Sequence, residues 1–174
     1  MNEITITING VEYIARPKET VTAETKKPKT GYERVEFGQQ YYSDGSNRSY
    51  YEETEEEYDM DDCNYRTACY YSDETIAENN ARADDLVRRL RQWQALNDEP
   101  VDWGSVEVKY FIGYDYDTER LAVCCNWTSR HFSLIYFTTE EKAKEAIEVF
   151  KDDLLWYFTE YRQRLDEPER EAAE

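Results

Sequence analysis

The chain has 174 residues, 40% of them hydrophobic, with 39 acidic against 21 basic side chains and a formal net charge of −18. That length suits one ordinary domain or two very small ones sharing a core. The charge far exceeds the magnitude of about 2 to 8 that keeps a small domain soluble, which argues against direct binding to nucleic acid or to an anionic membrane. No apolar run approaches the roughly 18 residues needed to cross a bilayer and no leader pattern opens the chain. The four cysteines, Cys63, Cys69, Cys124 and Cys125, form no C-x-x-C pair, so free thiols in a cytoplasmic protein of a host bacterial cell are expected.

Ile4 to Ile8 alternates apolar with polar residues, Asn9-Gly10 suits a type I′ turn, and Val11 to Ala15 resumes the alternation. Folding about that turn pairs Ile8 with Val11 and Ile6 with Tyr13, an amino-terminal hairpin over residues 1–15. Residues 16–34 lose periodicity, contain Pro17 and Pro28, and carry six basic against three acidic side chains, so they read as a basic linker or loop. Short strands are expected over Val35 to Tyr42 and Ser49 to Tyr51. From Glu52 to Asp62, eight of eleven positions are acidic, which predicts a solvated loop or edge strand, with Cys69-Tyr70-Tyr71 entering the core after it.

A helix beginning at Ser72 or Asp73 has the stripe Ile76, Ala83, Leu86, Val87, Leu90, Trp93 and Leu96, and Asn97 and Pro100 end it. Strands are predicted at Val106 to Tyr114, Leu121 to Trp127 and Phe132 to Phe137. The last helix opens on a capping box of Thr138 and Glu141, with the stripe Ala143, Ile147, Phe150, Leu154, Phe158 and Tyr161. Tyr70-Tyr71-Ser72-Asp73-Glu74 and Tyr136-Phe137-Thr138-Thr139-Glu140 share one pattern, and the aromatic pairs Tyr41-Tyr42 and Tyr110-Phe111 precede them by 29 and 26 residues. The expected fold is therefore α+β: an antiparallel sheet built from two β-β-α-like units plus the amino-terminal hairpin, with two long helices covering the sheet. The units span 35–100, with an acidic insertion, and 101–165; residues 166–174 read as a disordered acidic tail.

The parts of an enzyme are few. His131 is the only histidine, and no P-loop, dinucleotide or nucleophile-elbow motif occurs among the six glycines. Asp115-Tyr116-Asp117 with Glu119, and Asp59-Met60-Asp61-Asp62, offer oxygen ligands for a divalent cation but lack EF-hand spacing, so surface carboxylates are the expectation and no metal or cofactor is assigned. No cation adjoins Cys124-Cys125 to activate a thiol. The chain reads as a protein that binds and does not catalyse.

The acidic run carries the binding expectation. Glu52, Glu53, Glu55, Glu56, Glu57, Asp59, Asp61 and Asp62, interleaved with Tyr50, Tyr51 and Tyr58, would reach roughly 35 Å if extended, near one duplex turn. Carboxylates in rows compete for the Lys/Arg groove of a nucleic-acid-binding protein, and tyrosines pack against arginine stems. The competing expectation is a charge run that only keeps the protein soluble.

The stretch Tyr70 to Asp84, then Leu90-Arg91-Gln92-Trp93, and later Ile135 to Ile147 with Asp153 to Phe158, resembles small accessory proteins of bacteriophages and integrative elements in Firmicutes. The similarity covers roughly residues 35 to 165. Some proteins of this mobile-element type are anti-CRISPR inhibitors of type II Cas9. The resemblance implies an anti-defence role, with a CRISPR effector nuclease, loaded with guide RNA or not, as the partner. A non-catalytic phage or plasmid adaptor that grips a host protein through aromatic side chains is the alternative, and self-association through the apolar stripes stays open.

Overall fold

The computed structural model describes residues 4–8, 11–15, 29–45 and 48–168. Strands β1 (Ile4–Ile8) and β2 (Val11–Ala15) pair antiparallel with Ile8 opposite Val11 and Ile6 opposite Tyr13, the register the alternation predicts. The turn at Asn9-Gly10, residues 16–28 of the basic linker and residues 169–174 of the acidic tail lie outside the described residues.

Two units follow, and both have the same plan. In the first, β3 (Gln40–Asp44), β4 (Tyr50–Thr54), α1 (Asp59–Arg66), β5 (Tyr70–Tyr71) and α2 (Glu74–Asn97) follow in order, and the sheet runs β4-β3-β5. In the second, β6 (Lys109–Asp115), β7 (Arg120–Asn126), β8 (Tyr136–Phe137) and α3 (Glu140–Thr159) make the sheet β7-β6-β8. All pairing is antiparallel, so the α+β class holds, with the strands divided among three small sheets.

The aromatic pairs mark the repeat, though one residue out of step. Tyr42 lies opposite Tyr71 and Ser43 opposite Tyr70, while Tyr110 lies opposite Phe137 and Phe111 opposite Tyr136. Tyr110-Phe111 therefore corresponds to Tyr42-Ser43, not to Tyr41-Tyr42. A one-residue shift exchanges the faces of a strand, which is why Tyr41 is buried against Tyr70 on the side away from α2.

Several boundaries differ from the sequence expectation. The strand expected over Val35 to Tyr42 begins at Gln40, and the one expected at Ser49 to Tyr51 runs on through Glu52 and Glu53 to Thr54. Phe132 is outside β8, which keeps only Tyr136 and Phe137. The cap of α3 is Thr139, whose hydroxyl accepts from Lys142 N at 3.2 Å, not Thr138. Thr138 instead donates its backbone N–H and its hydroxyl to Asp98, just beyond α2. Leu96 sits in the last turn of α2, beyond the sheet, and is 77% exposed.

Helix α2 serves both units. Its first turns place Ile76 and Ala77 on Tyr71, with Tyr32, Tyr42, Tyr50 and Leu165 around them. Its later turns place Leu86 and Leu90 in the main core with Ile112, Phe137, Phe150 and Leu154. Complete burial of side chains such as Ile76 and Phe137 contributes about 1.5–3 kcal/mol each. Asp98 at the end of α2 meets the start of α3, and Asn79 and Asn80 near its beginning meet Arg162 and Tyr161 beyond the end of α3, so the two helices run antiparallel. Between them Asp153 of α3 takes Arg89 at 2.6 Å, Arg82 at 3.4 Å and Arg48 at 2.6 Å, while Asp85 takes Arg48 and Arg89 at 2.8 Å. Arg82 also lies 3.9 Å from the centre of the Trp156 ring.

The segment before β3 is fastened to this body at Gly31. Its carbonyl accepts from Ser72 N at 2.9 Å, its φ is +94°, and a methyl group there would meet Ile76 Cγ1 at 2.8 Å. Gly31→Ala should therefore cost about 1–3 kcal/mol in urea unfolding, from strain together with overlap on a fully buried isoleucine. Gly38→Ala, at φ +81° with open space around it, should cost clearly less.

Candidate acidic interaction surface

The acidic run folds into a corner. Strand β4 is an edge strand, so Glu52 and Glu53 stand on a border where extended backbone needs only one neighbour. After Thr54 the chain turns through Glu57, at φ +57°, and enters α1. Asp59, Asp61 and Asp62 occupy the first helical turn, where the helix dipole favours carboxylates, and Asp61 Oδ2 accepts from Tyr58 N at 3.0 Å. A loop or strand throughout was the expectation; its second half is a helix. The extended reach of a duplex turn is lost with it, since five residues of strand span about 17 Å and eight of helix about 12 Å in a new direction.

The eight predicted carboxylates have two fates. Glu55 is 1% exposed and Asp61 is 5% exposed. Arg34 holds Glu55 with a two-pronged contact, Nη2 to Oε1 at 2.8 Å and Nε to Oε2 at 2.9 Å, and reaches Asp62 through Nη1 at 2.5 Å. Tyr70 donates to Glu55 Oε2 at 2.9 Å and Glu57 N to Oε1 at 3.0 Å. Asp61 accepts from Tyr41 OH at 2.8 Å and from Glu56 N and Tyr58 N at 3.0 Å. The Tyr41 and Tyr70 rings stack 4.0 Å apart, so the two carboxylates hang from one aromatic pair.

Their ionisation follows from these contacts. Arg34 foremost, against the cost of burial and aided by Tyr70, holds the Glu55 carboxyl below its ordinary value. Burial opposes ionisation of Asp61, but the bonds from Tyr41, Glu56 N and Tyr58 N outweigh it and lower that carboxyl too. Tyr41 is pushed up to about 12, by burial first and then by the carboxylate it donates to.

The remaining carboxylates face outward. Glu52 accepts from Gln40, and Asp62 keeps its tie to Arg34. Glu53, Glu56, Glu57 and Asp59 are exposed and make no ion pair among the described residues. Tyr51 and Tyr58 stand beside them at 56% and 64% exposure, whereas Tyr50 is turned toward α2 and donates to Glu74 at 2.6 Å. A shallow open cleft of about 610 Å³, lined by Arg34, Val35, Glu36, Phe37, Glu55, Glu57 and Asp62, adjoins this surface.

Arg34 was only one of six cations in a linker by sequence, yet it organises the corner. The long-range partners of Asp153 likewise carried no local signal; only Asp85 and Arg89, four apart on α2, could be paired from spacing. Asp115 accepts from Asp117 N, Thr118 N and the Thr118 hydroxyl, which fixes the β6–β7 turn. Among the described residues no group of three or more His, Cys, Asp or Glu is arranged to hold a metal ion, and no helix is long and apolar enough to cross a membrane.

The fold and this surface define an α+β protein of two like units with an acidic, tyrosine-studded corner. Comparison with protein-family models, with curated proteins and with solved structures found no match.

Arg34→Ala leaves a buried charge without its partner and should cost about 3 kcal/mol. Glu55→Gln leaves behind an arginine that is already one-third exposed and should cost less, about 1–2 kcal/mol. Glu53→Lys should stay within about 0.5 kcal/mol. Chemical unfolding of the three variants ranks them. Because the folded Asp61 pKa is depressed, its contribution is present above the ordinary carboxylate value of about 4 and is lost as pH falls through the lower folded value. The Tm gap between the native chain and Asp61→Asn should thus be widest near neutral pH and close on acidification below about pH 4.

Proposed function

We propose that the protein is an anti-defence factor of a mobile element that works by binding and not by turnover: an anti-CRISPR directed at a Cas nuclease, with Cas9 the favoured target. It places the outward carboxylates of the corner, Glu52, Glu53, Glu56, Glu57 and Asp59, in a basic nucleic-acid channel of that nuclease and so blocks DNA binding or cleavage. One observation carries this reading: these five side chains stand together at an edge strand and the turn into a helix, with no cation paired to them among the described residues, in a chain of net charge −18. Crowded, unneutralised carboxylates attract a cationic cleft as phosphates do. Tyr51 and Tyr58 supply faces for arginine, and the cleft beside Phe37, Glu57 and Asp62 suits an inserted lysine or arginine stem. The resemblance to mobile-element accessory proteins adds to this support. Glu55 and Asp61 have a different part, since they shape the corner from inside.

The exposure of Tyr51 and Tyr58 also favours a second reading, a phage or plasmid adaptor gripping a host protein by aromatic side chains while the charge serves solubility.

Binding to purified Cas9, with and without guide RNA, separates the two. A variant with Glu52, Glu53, Glu56 and Glu57 all changed to Lys, keeping Glu55 and Asp61, should fold normally and lose at least about tenfold in affinity. The native protein should bind more weakly as salt rises. Undiminished binding by the lysine variant, together with loss in Tyr51→Ala and Tyr58→Ala, would replace the first reading by the second.

A further inference from the structure

The second unit departs from the rest of the chain in charge. From Arg120 to Thr139, twenty consecutive residues contain no Asp or Glu, in a chain where 39 of 174 residues are acidic. They form β7, the connection into β8, and β8 itself. That connection stands where α1 stands in the first unit, between the second and third strands. The same insertion point is thus strongly acidic in one unit and acid-free in the other.

Large apolar side chains are exposed there. Trp127 is 59% exposed, Phe132 98% and Leu134 38%. Val106, at 90%, lies on the segment leading into β6, and the pairing of Lys109 with Asn126 sets that segment beside the connection. Single exposed apolar residues need no explanation, but four at one end of a hairpin do. Polar bonds pin the connection in place. Asn126 Oδ1 accepts from Thr128 N and Ser129 N at 3.1 Å, and the buried Tyr136 accepts from His131 N at 3.0 Å and donates to Ser129 O at 3.3 Å. Arg130 lies 5.4 Å from the centre of the Trp103 ring. Trp127 and Phe132 are therefore held outward on a fixed frame, the preorganisation that lowers the entropic cost of association. Nearby charges are mixed: Arg130 and His131 on the connection, Arg91 on α2, and Asp102 and Glu107 on the segment before β6.

Two copies carrying −18 each repel, most where their acidic faces approach, and this end is where they can meet at the least repulsion, which salt then screens. We infer that it is a homodimer surface, with Val106, Trp127, Phe132 and Leu134 of one copy packed on the same residues of another about a two-fold axis. Two aromatic and two aliphatic side chains per copy make a patch smaller than the roughly 800 Å² per partner of a standard interface. The dimer is accordingly reversible, dissociating at about 1–100 µM. Salt screens the repulsion between the charged bodies, so dimerisation strengthens as ionic strength rises, opposite in sign to a contact between the acidic corner and a cationic partner.

Sedimentation equilibrium of the full chain across that concentration range, at low and high salt, tests this independently of any partner. The expected result is a monomer–dimer equilibrium tightened by salt. It should be weakened at least about tenfold by Phe132→Asp and by Trp127→Asp, with far-UV circular dichroism unchanged, and unaffected by Phe37→Asp, a control on the first unit that is also exposed. A monomer at every concentration and salt would overturn the proposal. So would a dimer that survives both aspartate variants or one that loosens with salt.

Discussion

A carboxylate nearly closed off from water, in the middle of a run of eight acidic residues, has to be neutralised or it cannot ionise. Glu55 is that carboxylate, and Arg34 with Tyr70 and Glu57 N is what neutralises it. The consequences extend beyond the pair. Arg34 ties the segment before β3 to the strand-to-helix turn, and its third contact reaches Asp62 on α1. Asp61, one helical turn from the bend, is drawn in by Tyr41, whose ring lies on Tyr70. Around these two internal acids, Glu53 at the sheet edge, Glu56 and Glu57 in the turn and Asp59 at the start of α1 stay exposed. The acidic surface thus results from two internal carboxylates as much as from the outward ones.

The same arithmetic of charge runs through the body of the molecule. Asp85 and Asp153 gather Arg48, Arg82 and Arg89 between the two antiparallel helices, with both carboxyls held below their ordinary values despite burial. Cations that could have neutralised the acidic corner are engaged at this half-exposed seam. Duplication then lets one plan carry two unlike surfaces, an acidic helix at one insertion point and an acid-free aromatic connection at the other.

The parts that were legible in the sequence are those governed by local periodicity or turn chemistry. Ile4 to Ala15 announced its register, α2 and α3 announced their stripes apart from exposed Leu96 and from Tyr161, which lies beyond α3, and the aromatic pairs revealed the repeat with one pair a residue out of step. What was not legible depended on long-range pairing. Charge density made Glu52 to Asp62 look unburiable, because burial of Glu55 depends on an arginine 21 residues away. The helix in its second half was foreshadowed only by Asp59, Asp61 and Asp62, which read as solvent-facing charge until a helix N-terminus is there to use them. Thr138 and Thr139 were equally good caps by composition; the choice fell to Thr139 because Asp98, forty residues earlier, takes Thr138.

The central claim is that Glu55 and Asp61 are ionised inside the fold and organise the corner. Carbon-detected NMR titration of the side-chain carboxyls tests it most directly. Each residue should titrate below the ordinary value for its type, about 3.9 for aspartate and about 4.3 for glutamate, and Arg34→Ala should move the Glu55 midpoint upward. Midpoints at or above those values in the native protein, with no response of Glu55 to the loss of Arg34, would contradict the account.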